Sequence, residues 1–144
     1  MNVQTILGNK GRAVATIHQD ATVDEAVTLL HTRGIGALVV SDDGKVVGGI
    51  ISERDIVAAL ALYGKEVSAL RVAEVMTRPV VTCAPEDSVA ELMAEMTNRR
   101  IRHLPVVRNS QLCGIVSIGD LVKSRLDEIE FEADSMRSFI AGAA

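Results

Sequence analysis

Two short stretches place a hydroxyl and a carboxylate three residues apart behind a glycine: GIISERDI at 49–56 and GIVSIGDL at 114–121. Ser52 with Asp55, and Ser117 with Asp120, suit two kinds of chemistry. A serine at a helix N-cap accepts a backbone N–H of the first turn, and an acid three residues on accepts the N-cap N–H in return, so S-x-x-D is a capping box that needs no ligand. The same helix N-terminus offers unpaired N–H groups and a positive dipole end to a phosphate. An aspartate beside it can accept two hydrogen bonds from the vicinal hydroxyls of a ribose. The two uses are compatible, because a ligand can recruit a cap.

A second cluster of reactive types is the run NRRIRH at 98–103. Strand alternation turns Ile101 inward, and the chain around it is acidic, with one Tyr, two Phe and no Trp. A nucleic-acid patch of that kind would lack stacking platforms, so nucleic acid is not the expected partner. Glu53, Asp55 and His103 have no nucleophile to accompany them once Ser52 is assigned to a cap, and the chain reads as a non-enzyme. His18 and His31 stand alone and read as surface residues. Cys83 and Cys113 lie thirty residues apart without a CxxC or a nearby histidine pair. They read as reduced thiols, with no metal site.

These residues are positioned by a duplication. At an offset of 66, Thr16 meets Thr82, Thr22 meets Ser88, Val23 meets Val89, Leu30 meets Met96 and Ile35 meets Ile101. After a turn one residue shorter in the second copy, the offset becomes 65, and Gly49, Ser52 and Asp55 meet Gly114, Ser117 and Asp120. In each copy an amphipathic helix (Val23, Ala26, Val27, Leu30; Val89, Leu92, Met93, Met96) follows an N-cap candidate, Thr22 or Ser88. Two short apolar strands come next, GALVV and VVGGII, then HLPVV and LCGIV, and a second helix starts at each S-x-x-D. Each repeat therefore reads β-α-β-β-α, an α+β (α/β-like) fold. Neither half alone has a comfortable core, so the two are expected to pack with pseudo-twofold symmetry. The expected boundaries are repeat 1 at 10–62, a linker at 63–74, repeat 2 at 75–125 and a C-terminal helical extension at 126–144. Val122, Leu126, Ile129, Ala133, Met136 and Ile140 alternate spacings of four and three, a coiled-coil-like seam. The seam could fold back on its own domain or, the favoured reading, pack on a second subunit as a homodimer.

Composition agrees with a globular regulatory chain. Hydrophobic residues make up 48% and charged residues 24%, which excludes a disordered segment. A net charge of −4 argues against a broad grip on phosphate backbones. No apolar run approaches the roughly 18 residues of a membrane span, and the chain reads as cytoplasmic.

The paired G-x-x-[S]-x-x-D signatures, the strand RIRHLPVV and the duplication resemble a tandem pair of cystathionine-β-synthase (CBS) domains, a Bateman module. The resemblance spans about residues 10–125. It implies two clefts between the repeats that bind adenosine-containing nucleotides (AMP, ADP or ATP, or alternatively NAD) as regulatory ligands. Asp55 and Asp120 would hold ribose hydroxyls, with Ser52 and Ser117 at the ribose or phosphate. Arg102 and His103 would meet phosphate in the second repeat, and the first repeat departs from this with Gly36 and Ala37, where Arg54 partly substitutes. Adenine would lie near Thr16, Ile17, Thr22, Thr82 and Ala84. This asymmetry predicts unequal sites, with the Asp120 site, served by Arg102 and His103, the tighter. Ligand binding would be read by a downstream protein or second subunit. A structural adaptor with vestigial sites is the alternative of another class.

Overall fold

The computed structural model describes residues 1–143. In the first repeat, β1 (Thr16–Ile17) lies parallel to β2 (Ala37–Val40), which pairs antiparallel with β3 (Gly49–Ser52). Helix α2 (Val23–Arg33) joins β1 to β2, and α3 (Glu53–Tyr63) leaves β3. In the second repeat, α5 (Val89–Arg99) precedes the antiparallel pair β4 (His103–Arg108) and β5 (Gln111–Ser117), and α6 (Ile118–Ala143) leaves β5. The opening strand of that repeat is reduced to one parallel bridge, Cys83 to Val106.

The capping residues fall where the sequence puts them. Thr22 and Ser52 close reciprocal capping boxes with Glu25 and Asp55, and Ser88 accepts from Glu91 N–H. Corresponding backbone bonds recur at the repeat offsets. Ser41 N–H donates to Ile17 C=O at 3.0 Å, as Val107 N–H does to Cys83 C=O at 2.8 Å. Glu53 N–H donates to Gly36 C=O at 3.0 Å, and Ile118 N–H to Arg102 C=O at 2.8 Å. The chain is thus two like halves, each with an aliphatic core. Leu30, Leu38 and Ile51 anchor the first, and Met96, Leu104 and Val116 the second.

Two segments differ from the sequence expectation. The stretch before residue 10, given no element, is helix α1 (Val3–Lys10), capped by the Asn2 side chain. The expected linker 63–74 holds a 3-10 helix (Gly64–Ala69) and the start of a short helix, α4 (Val72–Val75). Val72 and Ala73 donate backbone bonds to Ala21 and Gln19 of the first repeat at 2.8 and 2.9 Å. Val3 and Gln4 donate to Asp87 and Pro85 of the second, the residues 66 positions further on, at 3.1 and 2.8 Å. VQTILG therefore does for repeat 2 what VAEVMT does for repeat 1, burying Val3, Ile6 and Leu7 in the second core. Helix α1 thus packs on the second repeat, although it precedes the first in the chain.

Helix α6 runs 26 residues, about 39 Å at 1.5 Å per residue. Leu121 and Ser124 are buried against the repeat, whereas Leu126, Ile129, Met136 and Ile140 are exposed. The seam is not folded back on its own domain. Among the described residues, no helix is long and apolar enough to cross a membrane.

Candidate functional site

The N-termini of α3 and α6 open into one cleft of about 550 Å³ between the repeats. Ser52, Arg54 and Asp55 line it from one repeat, and Arg102, His103 and Ser117 from the other. Six residues singled out in the sequence are thereby brought together. Arg54 ties the two sides directly, its Nη1 donating to the Arg100 carbonyl at 2.7 Å. Gly36 explains the departure in the first repeat: a Cβ there would stand 3.2 Å from His103 Cε1, so the absent side chain gives the imidazole its place. Arg102 and His103 are consequently not segregated with Asp120. They share a cleft with Asp55.

The two aspartates make the same caps but have different outside partners. Asp55 Oδ2 accepts from Ser52 N–H at 2.9 Å, and its Oδ1 accepts from the Thr77 hydroxyl at 2.8 Å. Asp120 Oδ2 accepts from Ser117 N–H at 2.9 Å and from the Lys10 ammonium at 2.6 Å. Lys10 also donates to the Ile115 carbonyl at 3.0 Å. Asp120 lines a separate, smaller cavity of about 250 Å³ with Lys10, Asn9 and Lys123. Burial is the largest influence on the Asp120 carboxyl and pushes its pKa up, but Lys10 and Ser117 together outweigh it and hold the group below the ordinary value.

His103 is not a standing cation. Burial, assisted by Arg102 and Lys10 and opposed by Glu53 and Asp120, holds its imidazole below the ordinary 6.5. At neutral pH the fixed positive charge of the cleft comes from Arg54, Arg100 and Arg102, facing Glu53 and Asp55. Anions are further favoured by the two helix N-termini.

The residues expected near adenine are not gathered into this cleft. Thr16 and Ile17 form β1, paired with Val39 and Val40, and Ile17 is buried in the first core. The Thr22 hydroxyl is committed to capping α2, and Ala84 N–H donates to Asp87 at 2.8 Å. Thr82 lines a shallow groove with Arg78 and Pro79. Conversely, Thr77, Arg100 and Lys10 were not singled out in the sequence. Arg100 carries a faint signal: it stands 66 residues after Gly34, and both take the left-handed C-cap conformation, at φ 55° and 60°. Lys10 has none. Cys83 sits in the second core, where burial and Asp87 push its thiol up to about 12, so it stays protonated and unreactive.

A duplicated β-α-β-β-α unit with capped helix ends facing a shared cleft defines a pair of small domains built around one cleft, and comparison with known proteins gives it a family. The CBS domain model matches residues 11–62 and 72–127, and the chain belongs to the CBS-domain family, with two domains in tandem. It is 35% identical over 127 residues to the mitochondrial CBS domain-containing protein CBSX3 of Arabidopsis thaliana, covering 85% of this chain and 62% of that protein's length. A CBS-domain-containing protein from Agrobacterium tumefaciens superposes with a TM-score of 0.84 at 45% identity, over 87% of this chain and 99% of that one. The CBS domain pair of protein MJ0100, solved in complex with 5'-methylthioadenosine and S-adenosyl-L-methionine, has a TM-score of 0.75 at 29% identity, over 90% of this chain and 98% of that one.

Proposed function

We propose that the chain is a regulatory module that binds an adenosine-containing nucleotide in the central cleft, with AMP as the best-fitting ligand. The observation that carries this reading is the convergence of Asp55, three arginines and two helix N-termini on one space between the repeats. Asp55 would exchange the Thr77 hydroxyl for ribose hydroxyls, a like-for-like replacement of neutral donors. Arg102, with Arg54 and Arg100 near it, would take the phosphate. The adenosine ligands of the MJ0100 pair support the ligand class. The arginines favour a phosphorylated member of that class over a cationic one. Because the cleft is lined from both repeats, occupancy would bias how they pack, and a partner protein or second subunit would read that bias.

Two measurements test this. Mass spectrometry of ligand carried through purification should find an adenine nucleotide. In thermal unfolding, AMP at one hundred times its Kd should add about 2.7 kcal/mol of stability. No shift with any nucleotide would favour an adaptor, a larger shift with S-adenosyl-L-methionine would reject the phosphate assignment, and conversion of the nucleotide would make the chain an enzyme.

A further inference from the structure

Helix α6 treats its two faces differently. Leu121 and Ser124 are buried against the second repeat, and Glu128 continues that face, half-buried. The seam Val122, Leu126, Ile129, Ala133, Met136 and Ile140 lies on a different face, about 125° around the helix at 100° per residue. Its large members Leu126, Ile129, Met136 and Ile140 are 56, 45, 60 and 61% exposed. The spacing assigns Leu126, Ala133 and Ile140 to heptad position a, and Val122, Ile129 and Met136 to position d. Arg125 and Glu132 then fall at g, and Glu130 and Arg137 at e.

Those flanking charges choose an occupant and a direction. In a parallel, in-register pair, each g residue faces the e residue five positions on in the other helix. Arg125 would face the partner's Glu130, and Glu132 would face the partner's Arg137, both of opposite sign and each doubled by the twofold axis. In an antiparallel pair with the same layers, g meets g and e meets e, so Glu132 would face the partner's Glu132 and Glu130 the partner's Glu130. We propose that α6 pairs with α6 of a second copy of this chain as a parallel, in-register coiled coil over residues 122–140. Arg125 and Arg137 now make pairs within the helix, to the half-buried Glu128 and the exposed Asp134, both at 3.1 Å. Such pairs contribute little and exchange readily for cross-helix ones. The proposal refines the subunit contact of the regulatory reading. Its test uses no nucleotide, so the two stand or fall separately.

Light scattering and sedimentation equilibrium on the full chain should show a dimer. Glu132→Arg and Arg137→Glu should each raise its dissociation constant by about tenfold, since each makes two cross-helix pairs repulsive. The double reversal should return it to near the original value. These positions are exposed, and circular dichroism checks that the helix is retained. Under mild oxidation, Leu126→Cys should cross-link to itself, as should Ala133→Cys. A monomeric chain, single reversals without effect, a double reversal that does not rescue, or Leu126→Cys cross-linking only when mixed with Met136→Cys would each overturn the proposal.

Discussion

Asp55 and Asp120 are the same residue in two copies of one motif, and their partners make them chemically unequal. A hydroxyl on Asp55 can be replaced by another hydroxyl, whereas an ammonium at 2.6 Å on Asp120 must be displaced against an ion pair. Lys10→Met should leave the fold intact and lower stability by at most about 1 kcal/mol, because the Lys10 side chain is 36% exposed and solvent screens the pair. The Asp120 pKa is depressed in the folded state, so the loss should be full at neutral pH. It should shrink as pH falls below the ordinary aspartate value through the folded one, which chemical denaturation at a series of pH values measures. The same variant should open a second adenosine site, raising calorimetric stoichiometry from one to two per chain. His103 gives a separate pH prediction. Its pKa is depressed in the folded state, so protons bind the unfolded chain first, and the free protein should lose stability as pH falls below about 6.5. A phosphate dianion reverses this preference. AMP binding near pH 7.5, where its phosphate is already a dianion, should therefore take up protons, seen by calorimetry in buffers of different ionisation enthalpy, while adenosine binding should not.

At the scale of elements, the strap formed by α1 holds the second repeat together. Leu7 is 2% exposed and packs on Gly114, where an added Cβ would stand 2.6 Å from Leu7 Cδ2. Leu7→Ala should cost about 2–4 kcal/mol through the cavity it leaves, and Gly114→Ala about 1–3 kcal/mol through overpacking, both measurable by denaturant unfolding. This strap was illegible in the sequence for a physical reason. VQTILGNK has three apolar positions and an internal glycine, too little periodicity to announce a helix by itself. Its likeness to VAEVMT appears only at an offset of 69, outside the 66/65 register that aligns the rest. Helices α2, α3, α5 and the start of α6 were legible, because Thr22, Ser52, Ser88 and Ser117 supply local caps ahead of periodic apolar residues. The grouping of Arg102 and His103 with Asp55 was not. Register along the chain says which residues correspond, and it carries no information about which ones face each other across the pseudo-twofold.

At the scale of the whole molecule, two capped helix ends that are separate in sequence become one anion-favouring space when the halves meet. The linkage runs through few bonds. Arg54 donates across the cleft to the Arg100 carbonyl at 2.7 Å, and Leu112 N–H donates to the Lys45 carbonyl at 2.7 Å. Binding in the cleft would therefore be coupled to the packing of the repeats through residues the ligand would touch, and on the proposed pairing α6 would carry that change to a second copy. The central claim is that the Asp55 cleft, not the Asp120 cavity, takes the nucleotide. Titration calorimetry of AMP into the parent chain, Asp55→Asn and Asp120→Asn tests it most directly, with thermal unfolding to confirm that each variant is folded. One AMP per chain in the parent, binding weakened at least tenfold in Asp55→Asn and retained in Asp120→Asn, is the predicted result. Equal losses in both variants, or loss in Asp120→Asn alone, would contradict it.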